Sequence, residues 1–321
     1  MVLVRGVALG ICGTDREIAA GQYGAAPPGQ QRMILGHESL GRVEHAPESS
    51  GLRAGDLVVA MVRHPDPVPC PNCAVGEWDM CRNGLYTEHG IKELDGFGAE
   101  YWQVAPDRLI RVDASLGELG VLLEPASVVA KAWQHADAIG RRATWEPRVA
   151  LITGAGPVGL LAALLGVQRG LEVHVYDRVP DGPKPDIVAS LGATYHSSGL
   201  DELDVEPDIV IECTGASAVV LDVIRRTAAN GIVALAGLSS GGRRIDIDMA
   251  SLNRTLVLEN DVVFGSVNAN RTHYELAADA LARAERTWLS SLITRRLPLH
   301  RYADAITRQP DDVKTIIDLT A

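Results

Sequence analysis

The sequence predicts an α/β protein of two domains, a mostly-β one and one built on a parallel sheet, and three observations carry that prediction. Its 321 residues exceed what one hydrophobic core usually supports. The stretch 1–124 shows short apolar runs broken by Gly and Pro, such as Leu57 to Val62 and Ile110 to Val112, which is all-β punctuation. From Arg148 onward strands alternate with helical stretches, the signature of βαβ units.

The elements of the second region follow in order. Val149 to Thr153 reads as its first strand, a Gly-rich loop opens a helix running through Val167, and Leu171 to Tyr176 is the second strand. Asp208 to Ile211 and Gly231 to Ala236 are two more apolar strands, separated by the helical run Ala218 to Ala228, and Val262 to Val267 closes the series. Thr272 to Arg286 is expected to be helical with Leu276 and Leu281 on its apolar face. The tail from Leu297 to Leu319 reads as a short strand, a helix and a last strand, too short for a domain of its own. It is expected to return to the first domain, giving a boundary of 1–124 with 266–321 against 125–265.

Composition narrows the partners. A net charge of −11 without any block of basic residues argues against nucleic acid, whose phosphates need clustered Lys and Arg. No apolar run reaches 18 residues, so a membrane span is not expected, and Met1 to Cys12 lacks the full hydrophobic stretch and cleavage site of a secretory signal. The five cysteines, Cys12, Cys70, Cys73, Cys81 and Cys213, do not form the even framework of a disulfide protein; a reducing cytoplasm is the expected setting.

Three motifs carry chemistry. Cys12-Gly13-Thr14-Asp15 lies about one strand and turn ahead of Gly36-His37-Glu38, and thiolate, imidazole and carboxylate together suit Zn²⁺ with a position left for water or substrate. Gly154-Ala155-Gly156-Pro157-Val158-Gly159 follows an apolar strand and opens an apolar helix. There Gly154 permits the tight turn, Gly156 admits a pyrophosphate, and Gly159 packs the helix on the sheet. Asp177, at the end of the next strand and 23 residues beyond Gly154, can hydrogen-bond the ribose hydroxyls of NAD and repel a 2′-phosphate, an effect that Arg178 partly offsets. NAD is therefore preferred and NADP possible. Cys70-Pro71-Asn72-Cys73 with Cys81 can bite a structural zinc, for which three ligands are counted and His64 or Asp66 stand nearby as a fourth. Cys213 reads as a small buried residue at a strand end, with Thr214 near the cofactor.

With these residues in view the chain resembles the zinc-dependent medium-chain alcohol dehydrogenases, and within them the archaeal-type glucose dehydrogenases. The match runs through Gly10 to Glu17, Leu35 to Glu38, the cysteine lobe continuing to Glu88 and Gly90, Leu123-Glu124-Pro125, the Gly loop, and Gly265 to Asn268. The resemblance implies a GroES-like mostly-β catalytic domain and a Rossmann, doubly wound cofactor domain. It makes Cys12 and His37 ligands of a catalytic zinc, Glu38 a direct or exchanging ligand, and Glu124 the carboxylate beside the metal. Thr14 becomes the hydroxyl that relays the substrate proton, and Glu88 and Asn268 become sugar contacts, with Asn268 also near the cofactor and His89 adjacent. Asp15 is expected to orient His37 through its other ring nitrogen.

Departures matter as well. Where relatives place another lobe cysteine this chain has Pro67, and Arg63 stands where the glucose branch has a smaller polar residue. Relatives have about one more hairpin of strand before the segment matching Val2 to Arg5, so the expectation is either that this start is late or that the domain tolerates an open sheet edge beside the metal site. The resulting expectation is a zinc-dependent NAD(P) dehydrogenase oxidising an aldose such as glucose at C1 to the lactone. The alternatives are a polyol, a secondary alcohol or a cyclitol or amino-sugar intermediate, and a nucleotide-binding relative without activity. Relatives form homodimers or homotetramers, often by pairing the edges of their cofactor domains.

Overall fold

In the computed structural model, residues 1–239 and 245–321 are described. In chain order they form β1 (Val2–Ile11), α1 (Gly13–Ala19), β2 (Glu38–His45), β3 (Leu57–Ala60), β4 (Arg63–His64), α2 (Pro71–Ala74), β5 (Thr87–His89), β6 (Glu93–Leu94), β7 (Tyr101–Val104), β8 (Leu109–Arg111) and α3 (Leu123–Gly140). Next come β9 (Val149–Thr153), α4 (Pro157–Gln168), β10 (Glu172–Tyr176), α5 (Pro183–Ser190), β11 (Thr194–His196), β12 (Ile209–Glu212), α6 (Ser217–Ile224), β13 (Ile232–Leu235), α7 (Met249–Glu259) and β14 (Val262–Gly265). The chain ends with α8 (Arg271–Arg283), α9 (Arg286–Leu292), β15 (Ile293–Pro298), α10 (Tyr302–Ala305) and β16 (Lys314–Asp318). They divide into two units, Met1–Ser127 with Asn268–Ala321, and Val128–Val267.

The first unit is built on a sheet in the order β15-β16-β1-β2-β3-β8, with β7 also on β1. β1 pairs with β2 along one side and, on the other, with β7 over Val2 to Arg5 and with β16 over Ala8 to Ile11. The expected open edge beside the metal motif is therefore absent, because β7 and β16 share that side of the strand. Val2, Val4, Leu9 and Ile11 project from β1 into a core with Val58, Phe97, Trp102 and Ile317. Each fully buried side chain of this kind contributes about 1.5–3 kcal/mol of transfer free energy.

The second unit is a wholly parallel sheet in the order β11-β10-β9-β12-β13-β14. Renumbered from its first strand this is 3-2-1-4-5-6, the doubly wound order with its switch point between β9 and β12. Among the described residues six strands are present where the sequence pattern predicts five. The extra one, β11, is three residues of Thr-Tyr-His at an edge and has no apolar alternation to announce it. In α8 the buried face is made by His273, Tyr274, Ala277, Ala280 and Leu281, whereas Leu276 is exposed. Five residues of helix turn Leu276 well away from Leu281, so the pair expected on one face is split. Among the described residues no helix is long and apolar enough to cross a membrane.

Candidate functional site

The metal motif assembles at the end of β1 and the start of β2, which the register Gly10↔Glu38 brings side by side. Cys12 caps α1: its Sγ accepts the Thr14 amide at 3.3 Å and its own amide donates to Asp15 Oδ2 at 2.8 Å. The reciprocal bonds turn the thiol toward His37, whose Nε2 lies 3.2 Å from Cys12 Sγ. On the other side of the ring His37 Nδ1 faces Asp15 Oδ1 at 3.4 Å, and Asp15 is fully buried. The ligand atoms of Cys12, Asp15 and His37 lie within 4.8 Å of one another, as do those of His37, Glu38 and Glu124, so His37 joins two sets.

Glu38 has a partner that the sequence pattern does not reveal. Lys314, at the head of β16 and wholly buried, pairs with Glu38 Oε2 and donates to the Ile11 carbonyl at 3.1 Å. Both side chains pass over Gly10, where a Cβ would press on the Glu38 side chain and sit 2.9 Å from Lys314 Cε. The available signal was a lone lysine opening the apolar run Thr315-Ile316-Ile317.

The charges of this corner do not balance among protein groups. Burial disfavours a proton on His37, yet Cys12 and Asp15 outweigh it and hold the imidazole well above its usual range. Burial raises Asp15, but His37 and the Cys12 amide bring its carboxyl below the ordinary carboxylate range. Glu124 is pushed up to about 7 by burial, with Glu38 adding and His37 opposing. Protons thus sit where sulfur, nitrogen and oxygen donors converge, and a divalent cation fits that donor set in their place. Thr14, at the first turn of α1, is partly exposed beside Cys12.

A second cluster in the same unit joins Glu88, Asn268 and Arg63. β4 pairs with β5 so that Arg63 lies opposite Glu88, and Arg63 Nε donates to Glu88 Oε1 at 2.9 Å. Asn268 Nδ2 donates to the same oxygen at 2.9 Å, from a left-handed backbone with φ 61°. Arg63 also donates to the Asp79 carbonyl at 3.2 Å and lies 3.7 Å over the Tyr86 ring. His89 Nδ1 and the Asp95 carbonyl are 2.7 Å apart, and His64 and His89 meet through Nε2 at 3.0 Å. Since a carbonyl only accepts, His89 Nδ1 donates, and a neutral His89 then accepts from His64.

In the lobe, the ligand atoms of Cys70, Cys73 and Cys81 lie within 4.8 Å of one another. Cys70 Sγ accepts the amides of Arg82 at 3.4 Å and Cys73 at 3.5 Å, and these bonds bring the thiol down to about 6. Burial instead pushes Cys73 up to about 11. Neither suggested fourth ligand joins them: His64 bonds His89, and Asp66 accepts Val68 N and Asn83 Nδ2, both at 2.8 Å.

In the second unit the Gly loop turns between β9 and α4. Gly154 adopts φ 89°, and a Cβ on Gly159 would strike the Gly154 carbonyl. Nothing lies within 4 Å of a Cβ placed on Gly156, the cap of α4, while Pro157 and Val158 begin the helix. Asp177 Oδ2 accepts the Ala155 amide and Lys184 Nζ, each at 2.8 Å, and Oδ1 accepts the Val179 amide at 3.1 Å. Burial raises Asp177, but the Lys184 ammonium and these amides bring it below the ordinary range. Arg178 beside it is exposed. Thr214 is held by the wholly buried Glu212, whose Oε1 takes the Thr214 amide at 2.7 Å and the Thr153 hydroxyl at 3.1 Å. Cys213 is partly exposed, where full burial was expected. Asn268 belongs to the first unit and bonds Glu88 there.

Comparisons with known proteins agree on both halves of the chain. A family model described as alcohol dehydrogenase GroES-like domain matches residues 1–114, and one described as glucose dehydrogenase C-terminus matches 117–319. Glucose 1-dehydrogenase of Methanocella arvoryzae is 40% identical over 100% of this chain and 92% of its own. Glucose 1-dehydrogenase 1 of Caldivirga maquilingensis is 41% identical over 99% of this chain and 91% of its own. Among solved structures, glucose dehydrogenase of Haloferax mediterranei in complex with NADP, Zn and gluconolactone superposes with a TM-score of 0.92 at 31% identity, covering 99% of this chain and 91% of that one.

Proposed function

The chain belongs to the glucose dehydrogenase family, and we propose that it is a zinc-dependent NAD(P) dehydrogenase oxidising an aldose of glucose type at C1 to the lactone. The observation that carries this is the buried, charge-unbalanced cluster of Cys12, His37, Glu38 and Glu124, which a fold without a cation has no physical reason to keep. That cluster also weighs against a nucleotide-binding relative without activity.

When bound, zinc supplies Lewis acidity toward the sugar hydroxyl, and the nicotinamide accepts the hydride. The residues of the chain do the rest. Cys12 Sγ and His37 Nε2 hold the metal with a carboxylate from Glu38 or Glu124, and Asp15 fixes the His37 ring through Nδ1. Lys314 offsets the Glu38 charge and draws one of its oxygens toward β16. Thr14 Oγ1 takes the substrate proton toward solvent from its partly exposed place at the head of α1. Glu88 and Asn268 hold ring hydroxyls, with Arg63 fixing the carboxylate between them. Gly156 leaves room for the pyrophosphate, Gly154 and Gly159 shape the turn beside it, and the N-terminus of α4 supplies the positive end of the helix dipole.

Five free cysteines suit a reducing, cytoplasmic setting. β14 forms an edge of its sheet, and exposed Val257, Leu258 and Val267 lie in or beside α7 and β14, which supports self-association into a homodimer or homotetramer. The test of the reaction is reduction of NAD and NADP, followed by absorbance, across a panel of aldoses, polyols and cyclitols with zinc measured on the same sample. Glucose or an epimer should turn over on protein that carries zinc. Turnover of a cyclitol or polyol alone would overturn the aldose assignment.

A further inference from the structure

An acidic residue at the end of the second strand of a dinucleotide fold normally selects NAD, since its oxygens bond both ribose hydroxyls and its charge repels a 2′-phosphate. Asp177 occupies that place, yet its hydrogen-bonding capacity is largely committed within the protein. Oδ2 takes both the Ala155 amide and the Lys184 ammonium, while Oδ1 takes the Val179 amide. A carboxylate offers about four lone-pair sites, so one remains on Oδ1, enough for a single hydroxyl. The Asp177 side chain is 11% exposed and that of Lys184 7%, so their 2.8 Å ion pair is largely shielded from solvent. Lys184 comes from the first turn of α5, and Tyr195 donates to the Val179 carbonyl at 2.5 Å, so the turn after β10 is stapled from both sides.

The charge of Asp177 is consequently offset within the protein. Lys184 pairs with its carboxylate, exposed Arg178 follows it in the chain, and Asp186 shares the first turn of α5 with Lys184. Such a corner has a hydroxyl acceptor for NAD and no net repulsion toward a phosphate one bond further out.

We propose that Lys184 is a specificity-determining residue: by neutralising and occupying Asp177, it makes the adenosine end of the site accept a 2′-phosphate alongside a 2′-hydroxyl. Asp177 then serves chiefly to brace the Gly loop through Ala155, and Lys184 sets the balance between NADP and NAD. The inference rests on the dinucleotide reading of the second unit, and is independent of which sugar is oxidised.

The test is calorimetric binding to the full chain of adenosine 2′,5′-bisphosphate and of 5′-AMP, which differ in the 2′-phosphate and need no turnover. Lys184→Gln should weaken the bisphosphate by at least about tenfold, the scale of one uncompensated charge at close range. It should leave 5′-AMP within about twofold, which also reports an intact fold. Lys184→Arg should restore most of the loss. Asp177→Asn combined with Lys184→Gln removes both charges and should bring the bisphosphate back to within about threefold of the parent. Equal weakening of both nucleotides by Lys184→Gln, or an unchanged ratio, overturns the role of Lys184 while leaving the dinucleotide site standing. A parent chain that binds neither nucleotide overturns the dinucleotide reading and this inference with it.

Discussion

Two regions of the first unit can hold a metal, and they are built on opposite plans. The corner at Cys12, His37, Glu38 and Glu124 draws its donors from two strand ends and a distant helix, and ion pairs Asp15–His37 and Glu38–Lys314 hold it from behind. The lobe draws all three of its donors from Cys70 to Cys81, and what steadies them is local: backbone amides of Cys73 and Arg82 on one sulfur. A corner assembled by the whole sheet keeps its shape with or without its ion. A local loop of thiols depends on its ion for shape, as small structural zinc sites do. Losing metal should therefore remove chemistry from the corner and stability from the lobe.

The largest effect that sharpens this contrast is expected at the corner. Cys12→Ala removes one donor and one helix cap while leaving both ion pairs in place. kcat/KM for the sugar should fall by about a thousandfold or more, the scale of losing a group that stabilises developing charge. Zinc measured by atomic absorption should fall by one per chain. The melting temperature should move by only a few degrees, since a lost cap costs about 1 kcal/mol. Activity surviving the loss of that zinc would dissolve the distinction between the two regions.

Next in size is the cluster that stands between them. Arg63 bonds Glu88 in the sheet and the Asp79 carbonyl in the lobe, so it ties the carboxylate proposed to hold sugar to the cysteine loop. Arg63→Met strands a buried carboxylate, which destabilises by about 3–5 kcal/mol in comparable pairs. Chemical denaturation should show that loss, and the sugar KM should rise by about tenfold or more with kcat less affected. Adding Glu88→Gln should recover stability without recovering KM. Recovery of both would mean that Glu88 has no part in holding sugar.

A smaller effect is expected in the lobe itself. Cys81→Ser should also remove one zinc per chain, but with kcat/KM kept within about threefold and the melting temperature lowered by several degrees. Zinc content that is unchanged by this variant would show that the three thiols hold no ion.

The same contrast explains what could be read from the chain beforehand. Cys12, His37 and the Gly loop sit in short motifs whose residue types state their chemistry, and the parallel strands β9, β12 and β13 are largely apolar runs that announce themselves. Lys314 was hidden because its partner Glu38 is 276 positions away, and only the pairing of β16 with β1 brings the two together. Lys184 was hidden for a different reason: the motif at Asp177 describes what the acid offers a ligand and is silent about what the protein already places on it. Three residues at a sheet edge have no periodicity, so no local pattern marks β11. Hydrophobicity alone places Leu276 in the buried stripe of α8, whereas the helix turns it to solvent. In each case the missing information was a long-range pairing or a face, neither of which local pattern contains.

The smallest expected effect is a pH dependence that separates the cluster from the corner without touching either metal. His64 lies at the end of β4 with its Nε2 on His89, and burial together with His89 lowers it to about 4. An unfolded histidine titrates near 6.5, so as pH falls below that value the unfolded chain takes up a proton that folded His64 refuses. The sign is thus a loss of stability that is absent above pH 7, grows as pH falls below about 6.5, and levels off once pH passes below about 4. At pH 5 the contribution is on the order of 1–2 kcal/mol. His64→Gln keeps a side-chain donor for His89 and cannot titrate, so urea unfolding at pH 7 and pH 5 should show a shallower decline for the variant than for the parent. A parent and variant that decline in parallel would mean that His64 titrates as freely folded as unfolded, and that the His64–His89 contact does not hold the ring neutral.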